Sequence, residues 1–212
     1  MESTLIRAEP AWVNPLAQLP YFVDWRPRLW VPPVRWLLGD PVRFRGKKIL
    51  DVGCRTGRMS CLFGLLGAEV LGVDLPGVCL ESAQREAAVA GVSDRVRFLN
   101  YSGDPGTLPE GDFDFVFTKS VLVIIPDLRP FCVALAAKLK PGGELLAAEN
   151  RAGGWLMHLM RRVVAQRRRG KSFLERFHGV DAAFLTTLGT AFEMVGQPNF
   201  SWLVAAIRAR PR

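Results

Sequence analysis

Between about residues 47 and 150 the chain alternates short apolar runs with stretches whose apolar residues recur at helical spacing. Runs near 48–52, 69–73, 95–99, 113–118 and 143–149 predict strands. Between them Arg58 to Leu66, Pro76 to Ala90 and Leu128 to Leu139 predict helices, stopped by Gly67, Gly91 and Pro141-Gly142-Gly143. Strand and helix in alternation imply βαβ units around a parallel sheet. Right-handed crossovers then gather the carboxyl ends of those strands on one edge, where ligands of open α/β sheets bind. Further on, Asp181 to Ala191 predicts a last helix. Phe192 to Val195 and Ser201 to Ala209 predict two strands joined by a turn at Gly196-Gln197-Pro198-Asn199.

Two segments break this rhythm. Residues 1–45 carry seven prolines and Trp12, Trp25, Trp30 and Trp36. The prolines predict only short helical pieces, yet four tryptophans are too much apolar area for a loose tail. The segment is therefore expected to be an ordered cap lying on a main domain of residues 46–212. The second is an insertion at 151–180, where Trp155, Leu156, Leu159, Met160, Val163 and Val164 form one apolar helical face with arginines at its far end. Three uses fit it: a lid helix packed on the core, a helix lying in a membrane interface with snorkelling arginines, or a dock for an anionic acceptor or nucleic acid.

A length of 212 residues suits one domain with additions, and the 49% apolar and 23% charged composition is that of a globular chain. No apolar run is long enough to span a bilayer, and Glu2 and Glu9 argue against a secretory signal, so the expected compartment is the cytoplasm, with peripheral membrane contact through 155–169 as an addition. Net charge is +8, but Arg151 to His178 hold eight Arg or Lys against the single Glu175, so the rest of the chain is nearly balanced. Cys54, Cys61, Cys79 and Cys132 have no metal-binding spacing, and no metal is expected.

The chemistry concentrates where the first strand ends. Ile49-Leu50-Asp51-Val52-Gly53-Cys54-Arg55-Thr56-Gly57 runs from strand into a small-residue turn before a helix. Glycines there admit close backbone approach, and the helix that follows offers unpaired N–H groups to a carboxylate. The spacing G-x-x-x-G differs from the G-x-G-x-x-G of dinucleotide loops, which disfavours NAD. The second run ends in Asp74, whose carboxylate at a strand tip can accept two hydrogen bonds from a ribose diol.

Five motifs in order, Ile49 to Gly57, Val73-Asp74-Leu75, Tyr101-Ser102-Gly103-Asp104, Phe113 to Thr118 and Leu139-Lys140-Pro141-Gly142-Gly143-Glu144, resemble those of the class I S-adenosylmethionine-dependent methyltransferases of small molecules. The resemblance implies a Rossmann-like three-layer sandwich with a mostly parallel seven-stranded sheet ending in an antiparallel hairpin. It implies S-adenosyl-L-methionine as cofactor. Asp51 then lies near the methionyl amine, Gly53, Cys54, Arg55 and Gly57 line the loop, Asp74 holds the ribose, and Leu75 packs on adenine. Ser102, Gly103 or Asp104 meets the adenine edge, and Thr118 and Lys119 reach the cofactor from strand four. Two departures stand out. Arg55 replaces the family's middle glycine, and Val121-Leu122-Val123-Ile124-Ile125-Pro126-Asp127 lacks the histidine that many members carry there.

Methyl transfer from a sulfonium needs alignment above all, and a base only when the acceptor is a hydroxyl. His158 and His178 are the two imidazoles of the chain, and His178, before the last helix, is the candidate base, with Tyr21 and Asp24 as alternatives. Tyr21, Trp25, Ser120 and Trp155 are the expected substrate-pocket residues. A narrower resemblance to ubiquinone-biosynthesis O-methyltransferases rests on Asn150-Arg151 followed by an apolar and basic helix, and implies a lipophilic acceptor. The expected activity is methylation of a small molecule, most readily at oxygen. The alternatives are a membrane-associated enzyme acting on a quinone or lipid, and a nucleoside-binding module without catalysis. No nucleic-acid partner is expected.

Overall fold

The computed structural model describes residues 27–78, 80–153, 177–198 and 203–212. The element order is α1 (Pro27–Leu38), β1 (Lys48–Val52), α2 (Arg58–Leu65), β2 (Glu69–Asp74), α3 (Glu81–Val89), β3 (Val96–Asn100), β4 (Phe113–Lys119), α4 (Leu128–Ala136), β5 (Leu139–Asn150), α5 (Ala182–Leu188), β6 (Phe192–Gly196) and β7 (Val204–Pro211). The sheet reads β3-β2-β1-β4-β5-β7-β6. β1 to β5 pair in parallel, whereas β7 runs antiparallel to both β5 and β6. This is the seven-stranded, mostly parallel sheet with a closing antiparallel pair that the family resemblance implies.

Alternate residues of each strand feed two apolar layers. Leu50, Val52, Val116, Leu145 and Ala147 meet Phe131 and Leu135 of α4 and Phe184 and Leu188 of α5. Ile49, Val70, Phe115, Phe117 and Leu146 meet Trp30, Val34 and Leu37 of α1 and Leu62 and Phe63 of α2. Edge-to-face pairs of Phe63 with Phe44 and Phe117, with centroids 5.2 and 5.3 Å apart, lock the second layer.

Three of the departures from the sequence reading have a visible physical cause. α1 runs twelve residues through Pro32 and Pro33, which donate no backbone hydrogen bonds. Its register compensates, because Trp30, Val34, Leu37 and Leu38 fall on one buried stripe. The third helix starts at Glu81 rather than Pro76. Asn100 Nδ2 donates to the carbonyls of Leu75 (2.9 Å) and Val78 (3.2 Å), which fixes the intervening residues as a loop. β5 begins at Leu139, four residues before the expected strand, because Phe113 pairs with Leu139 across a bulge. Trp12, Tyr21, Asp24, Trp25, Cys79, Trp155, His158, Asn199 and the apolar and basic face of 155–169 lie outside the described residues.

Candidate functional site

β1 delivers the chain into the turn at 53–57 because the amides of Gly53 and Cys54 both donate to Val73 O, at 2.8 and 3.1 Å. The turn therefore leans on β2. Gly53 and Gly57 have φ of +76° and +73°, a region that favours glycine. A Cβ on Gly53 would meet Val121 Cγ2 at 2.4 Å, and one on Gly57 would meet Phe98 Cζ at 2.6 Å. Both positions thus exclude side chains for reasons internal to the protein. Arg55 also has positive φ, +48°, so the backbone keeps the glycine-like conformation at the very position where the sequence departs from the resemblance.

Asp74 sits at the tip of β2 and is the junction of the site. Its Oδ2 accepts from Arg55 N and its Oδ1 from Leu75 N, each at 2.8 Å. Each oxygen keeps a further lone pair for a ligand hydroxyl. Tyr101 N donates to Asp74 O at 2.9 Å, bringing the post-β3 segment alongside. Leu75 is 47% exposed, an unusual state for a leucine placed beside a buried carboxylate. A Cβ on Gly103 would lie 3.0 Å from Leu75 Cδ2, so the two form one apolar wall. Ser102 and Asp104 serve their own turn: Ser102 Oγ and Thr107 Oγ1 are 2.8 Å apart, and Asp104 Oδ1 accepts from Gly106 N.

Asp51 is buried and accepts from Ser60 Oγ of α2 at 2.5 Å. Burial raises its carboxyl from the ordinary 3.8 to about 6, against the lowering effect of the Ser60 hydroxyl. Nearby, Thr56 Oγ1 is buried without a hydrogen-bond partner among the described residues, and α2 starts at Gly57 with no side-chain cap. Burial also pushes the Cys54 thiol far up, so this sulfur is inert.

β4 ends in three residues with different duties. Thr118 is buried and its hydroxyl donates to Glu149 at 2.9 Å, so its side chain is committed to β5. Lys119, on the opposite face, lays its ammonium 4.2 Å from the Trp30 ring centroid and lowers the Asp51 carboxyl electrostatically. Ser120 has φ of +58°, and its Oγ accepts from Asn150 Nδ2 at 2.9 Å. His178 N donates to Val123 O at 3.0 Å, and His178 Nε2 lies 2.8 Å from Ile125 O. The structure thus joins Asp51, the 53–57 turn, Asp74, Leu75 and Gly103 at the β1–β2 edge, while Ser120 is held by Asn150 and His178 by the turn at 123–125.

Glu149 and Asn100 escaped the sequence reading. Glu149 Oε1 accepts from Thr118 Oγ1 and from the amides of Val121 and Leu122, both at 3.3 Å. Its Oε2 is buried and finds no hydrogen-bond partner among the described residues. Burial raises this carboxyl from 4.5 to about 7, outweighing those hydrogen bonds. The available signal was one acidic residue at the end of the apolar run Leu145-Leu146-Ala147-Ala148.

Sheet order, closing antiparallel pair and a carboxylate-tipped β2 facing a small-residue turn define the class I methyltransferase fold. Residues 50–147 match the family described as methyltransferase domain. The ubiquinone biosynthesis O-methyltransferase of Schizosaccharomyces pombe is 36% identical over 104 residues, 49% of this chain and 38% of that protein. The protein of that name from Pseudomonas fluorescens is 34% identical over 112 residues, 53% of this chain and 47% of its own. The chain thus spans less than half the length of these curated relatives. Among solved structures, the magnesium protoporphyrin IX methyltransferase of Synechocystis PCC 6803 with bound SAH has a TM-score of 0.64 at 20% identity, covering 87% of this chain and 83% of that one. The PH0226 protein of Pyrococcus horikoshii scores 0.64 at 19% identity, covering 91% and 99%. No helix among the described residues is long and apolar enough to cross a membrane.

Proposed function

We propose that the chain is an S-adenosylmethionine-dependent methyltransferase acting on a small-molecule acceptor, at oxygen. The observation that carries this reading is Asp74, a carboxylate tied by backbone amides to both the turn after β1 and the exposed Leu75. The residues fit the cofactor: Asp74 offers acceptors to a ribose diol, Leu75 and Gly103 an apolar wall to adenine, and the orphaned Thr56 hydroxyl and uncapped α2 polar contacts to the methionyl end. Arg55 and Lys119 are cations suited to the methionyl carboxylate, and Asp51 to its amine. Cys54 contributes backbone to the turn, and Ser102 and Asp104 are the polar groups assigned to the adenine edge. When bound, S-adenosylmethionine supplies an electrophilic methyl group on a sulfonium.

On the acceptor side, Ser120 and His178 flank the residues after β4, with Tyr21, Trp25 and Trp155 as further pocket residues on sequence grounds. His178 takes the hydroxyl proton of the acceptor. The retained glycine-like φ at Arg55 speaks against a degenerate, non-binding turn. The names of the curated relatives favour a lipophilic acceptor such as a quinone. The chain then works in the cytoplasm and touches a membrane surface through 155–169. The buried free thiols of Cys54, Cys61 and Cys132 suit a reducing compartment.

Calorimetric titration with S-adenosylhomocysteine tests the core of this reading, and absence of binding by the native protein would overturn it. A mass-spectrometric screen for methylated products across phenols, acids and quinols identifies the acceptor. Failure to co-sediment with anionic liposomes at low salt removes the membrane part alone.

A further inference from the structure

The carboxylate of Glu149 organises the part of the edge that follows β4. Its Oε1 gathers three donors from the chain leaving β4: the Thr118 hydroxyl and the amides of Val121 and Leu122. Next to it on β5, Asn150 Nδ2 donates to Ser120 Oγ, and Ser120 N donates to Ala148 O at 2.9 Å. The end of β5 therefore grips residues 118–122 by five hydrogen bonds to four residues, which sustains the left-handed φ of Ser120. Beyond the grip the chain makes one tight turn, in which Ile124 N donates to Val121 O and Ile125 N to Leu122 O.

The outer carbonyls of that turn hold His178. Val123 O accepts from the His178 amide, and Ile125 O lies 2.8 Å from Nε2. A carbonyl can only accept, so Nε2 carries the hydrogen and, in the neutral ring, Nδ1 carries the lone pair. From the other side Val180 N donates to Asn150 O at 2.8 Å and Ala152 N to Val180 O at 3.2 Å, so β5 holds the segment around His178 as well as the turn.

We propose that Glu149 is a positioning residue for the acceptor side of the site: by anchoring residues 118–125 it fixes His178 with Nε2 protonated and Nδ1 as the atom that receives the acceptor's proton. The inference rests on the methyltransferase reading for its purpose, though its geometry is independent of it. The proton leaving the acceptor hydroxyl goes to Nδ1, giving an imidazolium with hydrogens on both nitrogens, while Ile125 O keeps the ring from turning. Burial of Glu149, whose Oε2 has no partner among the described residues, marks the anchor as more than a surface cap, since a carboxylate with one unsatisfied oxygen in the interior is costly to keep.

The chain has two histidines, so a His158→Gln background leaves His178 as the single imidazole for ¹⁵N NMR. In this background the Nε2–H resonance is expected to be visible at neutral pH, because the Ile125 carbonyl slows its exchange with water. Glu149→Ala is expected to abolish it and to speed amide exchange at Val121 and Leu122 at least tenfold. Glu149→Gln, which keeps an acceptor oxygen, is expected to restore both. If Glu149→Ala fails to fold, Thr118→Val is read in the same way, with several-fold faster exchange at the two amides. Unchanged exchange and an unchanged Nε2–H signal in the folded variants overturn the proposal. Titration of the same samples with S-adenosylhomocysteine separates the two readings. Loss of binding in the parent protein defeats the cofactor assignment and leaves the NMR result standing, whereas an affinity within threefold of the parent in Glu149→Ala places the anchor outside the cofactor half.

Discussion

The backbone amide of Arg55 donates to Oδ2 of Asp74 at 2.8 Å, so the ends of β1 and β2 are tied by one side chain. Asp74→Ala removes both the tie and the ribose acceptor. With charge-assisted hydrogen bonds contributing roughly 1.5–3 kcal/mol, affinity for S-adenosylhomocysteine is expected to fall about 10- to 100-fold by calorimetry. Asp74→Asn, which retains one oxygen, is expected to lose less. Unchanged affinity in the alanine variant removes Asp74 from the site.

Arg55 occupies a left-handed conformation that costs a non-glycine residue about 1 kcal/mol. Arg55→Gly is therefore expected to raise the unfolding free energy by about 0.5–1 kcal/mol in urea. Arg55→Val, branched at Cβ, is expected to lower it by a similar or larger amount.

Gly53→Ala meets two obstacles, a φ of +76° and Val121 Cγ2 at 2.4 Å. Their combined cost is expected to be about 2–4 kcal/mol. Adding Val121→Ala relieves only the steric part, so the double variant is expected to fall short of the Val121→Ala single variant by about 1 kcal/mol. Complete recovery would show that the conformation at Gly53 costs nothing.

Asp51 and Glu149 bind their protons more tightly in the folded chain, at about 6 and 7, than their ordinary 3.8 and 4.5. Below the lower value of each pair the folded and unfolded chains are equally protonated. As pH rises through the interval the unfolded state ionises first, and stability falls. At about 1.4 kcal/mol per pH unit of difference, each group accounts for a loss of about 3 kcal/mol. Unfolding midpoints in denaturant are expected to decline from pH 4 to 7, and Glu149→Gln to flatten the upper half of that decline. A rise over this range contradicts the burial of both carboxyls as the dominant influence.

The strand and helix alternation was legible because each strand of a covered parallel sheet is a short apolar run and each crossover helix shows its own period. The cofactor half was legible too, since its residues lie next to one another in motifs at strand ends. What stayed hidden was long in sequence and short in space. Glu149 acquires its partners from residues 118–122, about thirty positions away, through the β4–β5 pairing. α1 was obscured by Pro32 and Pro33, whose local preference is overridden by the buried stripe from Trp30 to Leu38. Lys119 was visible as a strand-tip cation, but nothing in the sequence placed Trp30 beneath its ammonium.

The order β5-β7-β6 also has a bearing on how the chain is made. One flank of β5, complete at Asn150, has no partner until residues 204–211 emerge from the ribosome, and for that interval a long apolar strand presents open backbone to its surroundings. Arg208 and Arg210 of the late-arriving β7 then close on Glu144 of β5, at 2.7 and 3.1 Å. Those ion pairs add to the six-residue antiparallel ladder that seats the arriving strand, and until it arrives the flank of β5 is an open edge of the kind that invites wrong pairing.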